Sequence, residues 1–235
     1  MTSSLKKILS LIPGVAWASD IYKNYTLNRC KNLEEVFTCH YKKNLWGDDE
    51  SISGPGSTLE YTANIREHFP KLFSDYNIHS FLDAPCGDYN WFAHVERPKG
   101  FSYTGADIVQ SLIEKNQSKF GASDTQFQHL DITKELLPRA DLWLCRDCLF
   151  HLSEKDIYLV LENFVKSDIA YLLTTSHTDC EQNEDITTGG FRLLNLELPP
   201  YNLPKALVSI DDYIEGFPVR KLGLWDKKQI KSTLT

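Results

Sequence analysis

Two aspartates at the ends of apolar runs carry the first chemistry legible in this chain. Phe81-Leu82-Asp83 closes a short apolar run, and Ala84-Pro85-Cys86-Gly87-Asp88 turns away from it. A second run, Phe101 to Ala106, closes at Asp107. An acid roughly 20 residues beyond a strand-to-helix turn is the arrangement of a nucleotide-binding β-α-β unit, where it accepts hydrogen bonds from ribose hydroxyls. The turn itself is not the GxGxxG fingerprint that admits a pyrophosphate. It holds only Gly87, and the flanking Asp83 and Asp88 would repel phosphate groups. Such a turn suits a ligand with a ribose and a cationic end and no phosphate. A plainer reading, in which Asp83 merely caps a helix, uses the same residues.

A second constellation is Cys145-Arg146-Asp147-Cys148-Leu149-Phe150-His151-Leu152. A histidine titrates near neutral pH and can take a proton from a reacting group, with a nearby carboxylate to orient it. His151 could equally be a helix-entry residue bonded to backbone. Ser53-Gly54-Pro55-Gly56-Ser57 offers several backbone N–H groups before a helix, a geometry that favours a carboxylate, though a surface loop has the same composition. Cys145-x-x-Cys148 has no partner pair at zinc-ribbon spacing. Cys86, Cys145, Cys148, Cys180, His151 and His177 would all approach one sheet edge, yet buried inert thiols are the simpler expectation and no metal is expected. Later in the chain His177, Asp185, Arg192, Asn195 and Glu197 are candidate substrate contacts. Arg192 is of the type that pairs with a phosphate or carboxylate. Each of the loop residues reads as well as a solvated side chain.

These residues need a scaffold. Apolar runs predict strands near 79–83, 101–106, 125–130, 141–145 and 169–175, and helices near 88–95, 109–119, 132–137 and 153–166. Ser153 is the N-cap of the last helix, whose Ile157, Val160, Leu161 and Phe164 share one face. Such alternation implies a mostly parallel sheet with helices on both faces and every strand's C-terminal tip on one edge, where ligands bind. Residues 1–56 read as a helical N-terminal extension and loop, with Leu33, Val36, Phe37 and Tyr41 at helical spacing. Ser57-Thr58-Leu59-Glu60 is a capping box that predicts a helix start, with Pro70 as a kink further on. Residues 57–235 form the α/β domain. Within it, 176–205 is polar, proline-bearing and too long for a plain connection, so it is expected to act as a lid. Leu207 to Ile210 and Leu222 to Trp225 predict an antiparallel edge pair.

Composition excludes several partners. With 25 Lys and Arg against 32 Asp and Glu, the net charge is −7 and no basic run exceeds a pair of lysines, so nucleic acid is not an expected partner. The six cysteines follow no secreted framework. Lys6-Lys7, the apolar run to Ile12 and Ala16-Trp17-Ala18 mimic a signal peptide, but Pro13-Gly14 interrupts the run and it is too short to span a bilayer. A short amphipathic helix within 1–18, touching the domain or a membrane surface, is the expectation, and the protein is expected to be cytoplasmic. The sequence specifies no oligomeric state.

From about Trp46 to Trp225 the chain resembles the class I S-adenosylmethionine-dependent methyltransferases. The resemblance rests on Trp46-Gly47, Ser53 to Glu60, Asp83 to Asp88, Gly105-Ala106-Asp107-Ile108 and Cys145 to Leu152. Within that class these motifs look like one bacterial subfamily, loosely associated with surface-glycan modification. The resemblance implies a Rossmann-like sheet and S-adenosyl-L-methionine as cofactor. Asp83 and Gly87 would border its amino-acid end, the Ser53, Gly54 and Ser57 loop would meet its carboxylate, and Trp46, Ala84 and Arg146 would also bind the cofactor. Asp107 would hold the ribose, Ile108 would pack on the adenine, and Asp131 would approach the adenine amino group, although Asp131 is also a natural helix N-cap. The tip of the fourth strand would face the transferred methyl, making His151 and Asp147 the catalytic candidates. The expected reaction is methyl transfer to a small polar acceptor, a hydroxyl of a sugar or sugar nucleotide. Methylation of a protein side chain or an amine, and a nucleotide-binding module without catalysis, are the alternatives. An NAD-dependent oxidoreductase is disfavoured by the missing glycines.

Overall fold

A computed structural model describes residues 30–234. The expectations for residues 1–18 lie outside the described residues. Seven strands form one sheet: β1 (Ser80–Asp83), β2 (Ser102–Asp107), β3 (Thr125–His129), β4 (Leu142–Cys145), β5 (Tyr171–His177), β6 (Val208–Asp211) and β7 (Arg220–Asp226). Their order is β3-β2-β1-β4-β5-β7-β6. The first five pair in parallel, and β7 runs antiparallel between β5 and β6. The expected edge pair is therefore present. The order reverses at β1, whose neighbours are β2 and β4, and that switch point opens a crevice above the strand tips.

The sheet is buried on both faces, so its strands are continuous apolar runs whose alternate residues serve different layers. Leu82, Trp143, Leu172 and Trp225 point to one face, where α4 (Glu154–Lys166) buries Ile157, Val160, Leu161 and Phe164. Phe81, Leu142, Leu144, Leu173 and Leu224 serve the other face. There α2 (Ala63–Asp75) buries Ile65, Phe69, Leu72 and Phe73, and α3 (Gln110–Phe120) adds Ile113. Ser153 caps α4 as expected, its side chain accepting from the Asp156 backbone N–H. A short α5 (Lys227–Lys231) follows β7 behind a capping box formed by Asp226 and Gln229.

Three local expectations are corrected. Residues 88–95 form no α-helix: Tyr89 takes φ 59°, a left-handed conformation that breaks one, and only a 3-10 turn at Phe92–His94 remains. Residues 132–137 make only turns. Asp131 closes the first through its carbonyl, which accepts from the Lys134 and Glu135 amides, and Pro138 follows. The helix expected from Ser57 begins at Ala63 instead, because Thr58 caps a separate turn by accepting the Tyr61 amide at 3.2 Å. Pro70 lies inside α2, which continues to Asp75.

α1 (Leu33–Lys43), capped by Asn32, packs Tyr41 against Val109 and Leu112 and closes one side of the crevice. Among the described residues no helix is long and apolar enough to cross a membrane.

Candidate active site

A cavity of about 1060 Å³ sits over the C-terminal tips of β1, β2, β4 and β5. α1 and the 45–57 loop wall one side, and residues 186–191 wall the other. Trp46, Ser53, Gly54, Ser57, Asp83, Gly87, Asp107, Ile108, Asp131, Arg146, Asp147, His151 and His177 all line it. The sheet thus gathers most of the residues singled out from the sequence into one space.

Two buried carboxyls line the cavity. Asp83 is 3% exposed and is hydrogen-bonded only through Oδ2, which accepts from the Tyr103 hydroxyl at 2.7 Å. Burial pushes its pKa up to about 7, against the pull of that hydroxyl and of Arg146. Asp107 accepts from the Val109 amide at 3.0 Å and the Gly87 amide at 3.2 Å. Burial raises it to about 6 in spite of those bonds. Asp131 accepts from both the amide and the hydroxyl of Thr133 and pairs with Lys134 at 2.9 Å. Burial would raise its carboxyl, but those partners outweigh burial and hold it below its ordinary value. Asp131 therefore serves its own turn while lining the cavity.

The turn after β1 is locked to the 51–53 loop. Gly87 takes φ 55°, and any side chain there would meet the Ser53 hydroxyl. Asp88 does not line the cavity. Its carboxylate accepts from the Ser51 hydroxyl, the Ile52 amide and the Ser53 hydroxyl. Ala84 is corrected as well. It is fully buried, its amide bonded to the Leu144 carbonyl and its own carbonyl accepting from the Trp143 indole, and it does not line the cavity.

Beyond β4 stand two arginines and two aspartates. Arg146 donates to Asp212 through Nε at 2.9 Å and Nη2 at 2.8 Å, and to the Gly56 carbonyl at 2.7 Å. Arg220 donates to Asp147 at 2.9 Å and to the Asp212 carbonyl at 2.8 Å. Asp147 is held at φ 52° with its amide donating to the Thr175 hydroxyl. Burial would raise the Asp147 carboxyl, but the Arg146 and Arg220 guanidiniums outweigh it and lower it. Asp147 is thus an ionised salt-bridge member and a poor proton acceptor. It does not orient His151, which bonds elsewhere. Arg146 faces the cavity, but Asp212 and Gly56 occupy its Nε and Nη2.

His151 is half-buried, and its Nδ1 lies 2.6 Å from the Gly190 carbonyl. A carbonyl only accepts, so Nδ1 carries the hydrogen and Nε2 keeps its lone pair. Burial lowers the pKa to about 4, despite that bond and the nearby Asp147 charge. His177 is 1% exposed and has the opposite tautomer. The Leu194 amide donates to its Nδ1 at 3.2 Å, so Nε2 carries the hydrogen, and that N–H has no partner. Phe150 and Phe191 pack around both imidazoles.

Of the late candidates, His177 lines the cavity and Asp185, Arg192, Asn195 and Glu197 do not. Arg192 is buried, donating to the Leu152 carbonyl at 2.6 Å and reaching the Tyr201 hydroxyl at 3.4 Å. Asn195 accepts from the Glu197 amide at 3.0 Å and organises its own turn. Asp185 accepts from the Glu154 amide at 2.6 Å, at the start of α4. Glu197 pairs with Lys221 at 2.7 Å. Most of the late segment is pinned: Leu194, Leu196, Tyr201 and Leu203 are core residues. The part that walls the cavity is 186–191, of which Thr187 and Phe191 are exposed. Sequence reasoning missed Tyr61, Asp212 and Arg220 altogether. Tyr61 directly follows the Ser53 to Glu60 motif, but Asp212 and Arg220 lie far from the motifs in sequence, and only the pairing of His177 with Arg220 across β5 and β7 brings Arg220 in. Among the described residues no group of three or more His, Cys, Asp or Glu side chains is placed to hold a metal ion.

Solved structures share this architecture. The mitomycin 7-O-methyltransferase MmcR superposes with a TM-score of 0.62 at 14% identity, covering 93% of this chain and 70% of that one. The magnesium protoporphyrin IX methyltransferase ChlM from Synechocystis, solved with bound SAH, gives 0.55 at 11% identity over 88% of this chain and 98% of that one. PigF with SAH gives 0.52 at 15% identity over 71% of this chain and 56% of PigF, so the match spans little more than half of that protein. No protein-family model and no curated protein matches the chain. The chain therefore has the Rossmann-like fold of the class I methyltransferases, as the motifs implied.

Proposed function

We propose that this protein is an S-adenosylmethionine-dependent methyltransferase that methylates a hydroxyl of a small polar acceptor, a sugar or sugar nucleotide. One observation carries the reading. One cavity is lined both by buried carboxyls and by a histidine whose free lone pair is fixed by its tautomer. A ligand with a ribose and cationic groups and no phosphate matches the carboxyls. The loop around Gly87 has no phosphate cradle, and Asp83 has an oxygen without a protein partner. The names of the structural neighbours give small molecules, mitomycin and magnesium protoporphyrin IX, as their acceptors. We place the protein in the cytoplasm, where such a cofactor is made and free thiols persist.

When bound, S-adenosylmethionine supplies an electrophilic methyl group on a sulfonium. Asp107 accepts the ribose hydroxyls, and Asp83 offsets positive charge at the amino-acid end. The expected row of free N–H groups at Ser53 to Ser57 is corrected: the Ser53, Gly54 and Ser57 amides bond within the loop and Pro55 has none, so the Gly56 amide is the donor left to meet the carboxylate. Arg146 positions that loop through the Gly56 carbonyl. His151 Nε2 takes the proton of the acceptor hydroxyl as the new bond forms. The Gly190 carbonyl and the field of Asp147 both favour the protonated imidazole, so Asp147 assists without contact. Holding both reactants in one closed space supplies the rest of the rate.

The test is turnover. Purified protein incubated with S-adenosylmethionine and a panel of sugars, sugar nucleotides and amines is expected to form S-adenosylhomocysteine with hydroxyl acceptors. Turnover with amines alone would overturn the acceptor assignment.

A further inference from the structure

A buried imidazole N–H without a partner is rare, because desolvating a donor without a hydrogen bond costs free energy that folding does not recover. His177 Nε2 is such a donor, and its side chain lines the cavity. The tautomer is fixed from behind: the Leu194 amide occupies Nδ1, and the His177 amide bonds to the Leu194 carbonyl at 2.7 Å. The ring cannot turn its N–H elsewhere without losing that bond. His177 and His151 share one aromatic wall. Their ring centroids lie 5.2 and 4.5 Å from that of Phe150, and both meet Phe191. Phe191 is 57% exposed, a large apolar ring at the cavity mouth.

We propose, building on the methyl-transfer reading, that His177 is a specificity-determining residue whose Nε2–H binds a second, uncharged oxygen of the acceptor while His151 faces the hydroxyl to be methylated. The acceptor end then recognises a neutral sugar ring with two oxygens, one read by each histidine. The charges beside it fit this class. Arg146 and Arg220 are matched by Asp147 and Asp212, so no unpaired cation waits for a phosphate or carboxylate there. The Phe150 and Phe191 rings suit the apolar C–H face of a sugar. A sugar nucleotide would enter this end by its sugar, with its phosphates outside the paired charges.

Two variants separate the donor from the fold. His177→Asn keeps an acceptor where Nδ1 meets the Leu194 amide but removes the reach of Nε2–H. His177→Gln keeps an N–H near the Nε2 position. The probes are methyl glycosides and their singly deoxygenated analogues, added to protein carrying S-adenosylmethionine. For one glycoside, His177→Asn is expected to lower kcat/KM by about ten- to thirtyfold, the scale of one hydrogen bond. Its deoxy analogue at the second oxygen should show no further loss in that variant, and His177→Gln should restore discrimination between the two. Equal losses on both probes would overturn the proposal. A second readout does not need turnover. In protein with 15N-labelled histidine, the His177 Nε2–H resonance should move on adding the glycoside and stay in place with the deoxy analogue. If the resonance moves but no glycoside is methylated, the pairing stands and the transfer reading fails. If no glycoside moves it, the proposal fails and methyl transfer to another acceptor still stands.

Discussion

Asp83 and His151 both line one cavity, and burial drives both toward their neutral forms. For the acid that means a pKa raised from 3.8 to about 7, and for the base one lowered from 6.5 to about 4. The consequences for binding and stability differ in sign. Cations at the amino-acid end favour the ionised carboxylate, so cofactor affinity should rise as pH rises through about 7. Calorimetry in buffers of different ionisation enthalpy should detect a proton released on binding, and Asp83→Asn should abolish that release. Folded Asp83 also keeps its proton between about 4 and 7, where the unfolded chain has lost it. Its contribution to stability therefore falls as pH rises through that window. His151 works the other way. The unfolded chain takes up a proton below 6.5 that the folded one refuses until about 4, so stability falls as pH falls through that interval. The two slopes partly cancel in the wild type, and Asp83→Asn should show the difference as a Tm raised above pH 7. In catalysis, His151→Ala should lower the methyl-transfer rate by about 10²–10⁴-fold with cofactor affinity nearly unchanged. The acid limb of the wild-type rate should fall near pH 4 rather than near 6.5. A limb at the ordinary histidine value would mean that the imidazole titrates in water.

At the scale of elements, the site depends on loops docked to one another. A Cβ on Gly56 would lie 2.7 Å from Asp147 Oδ2 and 3.1 Å from Arg220 Nη2. Gly56→Ala should therefore disturb the four-charge cluster and cost about 1–3 kcal/mol of stability, read as a lower Tm, together with weaker cofactor binding. Unchanged Tm and affinity would show that the 53–57 loop moves aside freely. The strands were legible in the sequence because both-face burial writes them as unbroken apolar runs, and each begins within two residues of its expected place. The short helices were not. The stretch at 88–95 has helix-compatible residues, but Tyr89, Trp91 and Phe92 are drawn into the aromatic core and Asp88 is bonded by the 51–53 loop. Strand tips gave Asp83, Asp107, Asp147 and His151 their place in the site. Arg192 and Asn195 carry the right chemistry for a ligand, yet the Leu152 carbonyl uses the first and the Glu197 amide the second. Asp212 and Arg220 pair with Arg146 and Asp147 across the sheet, and no spacing rule reaches that far.

Across the whole molecule, one cavity is closed from three directions: the parallel strand tips below, α1 and the 45–57 loop on one flank, and 186–191 on the other. The late segment is anchored by Leu194, Leu196, Tyr201 and Leu203, so any closing motion belongs to its exposed part. Protease cleavage within 181–191 should slow when cofactor and acceptor are both present, and equal rates would count against closure there. The most direct test of the whole account is a calorimetric titration of the purified protein with S-adenosylmethionine at pH 8, beside Asp107→Ala. The account requires one cofactor per chain, with binding weakened in the variant by about 1–3 kcal/mol, the scale of hydrogen bonds to a charged group. No binding by the wild type, or equal affinity in a folded Asp107→Ala, would contradict it.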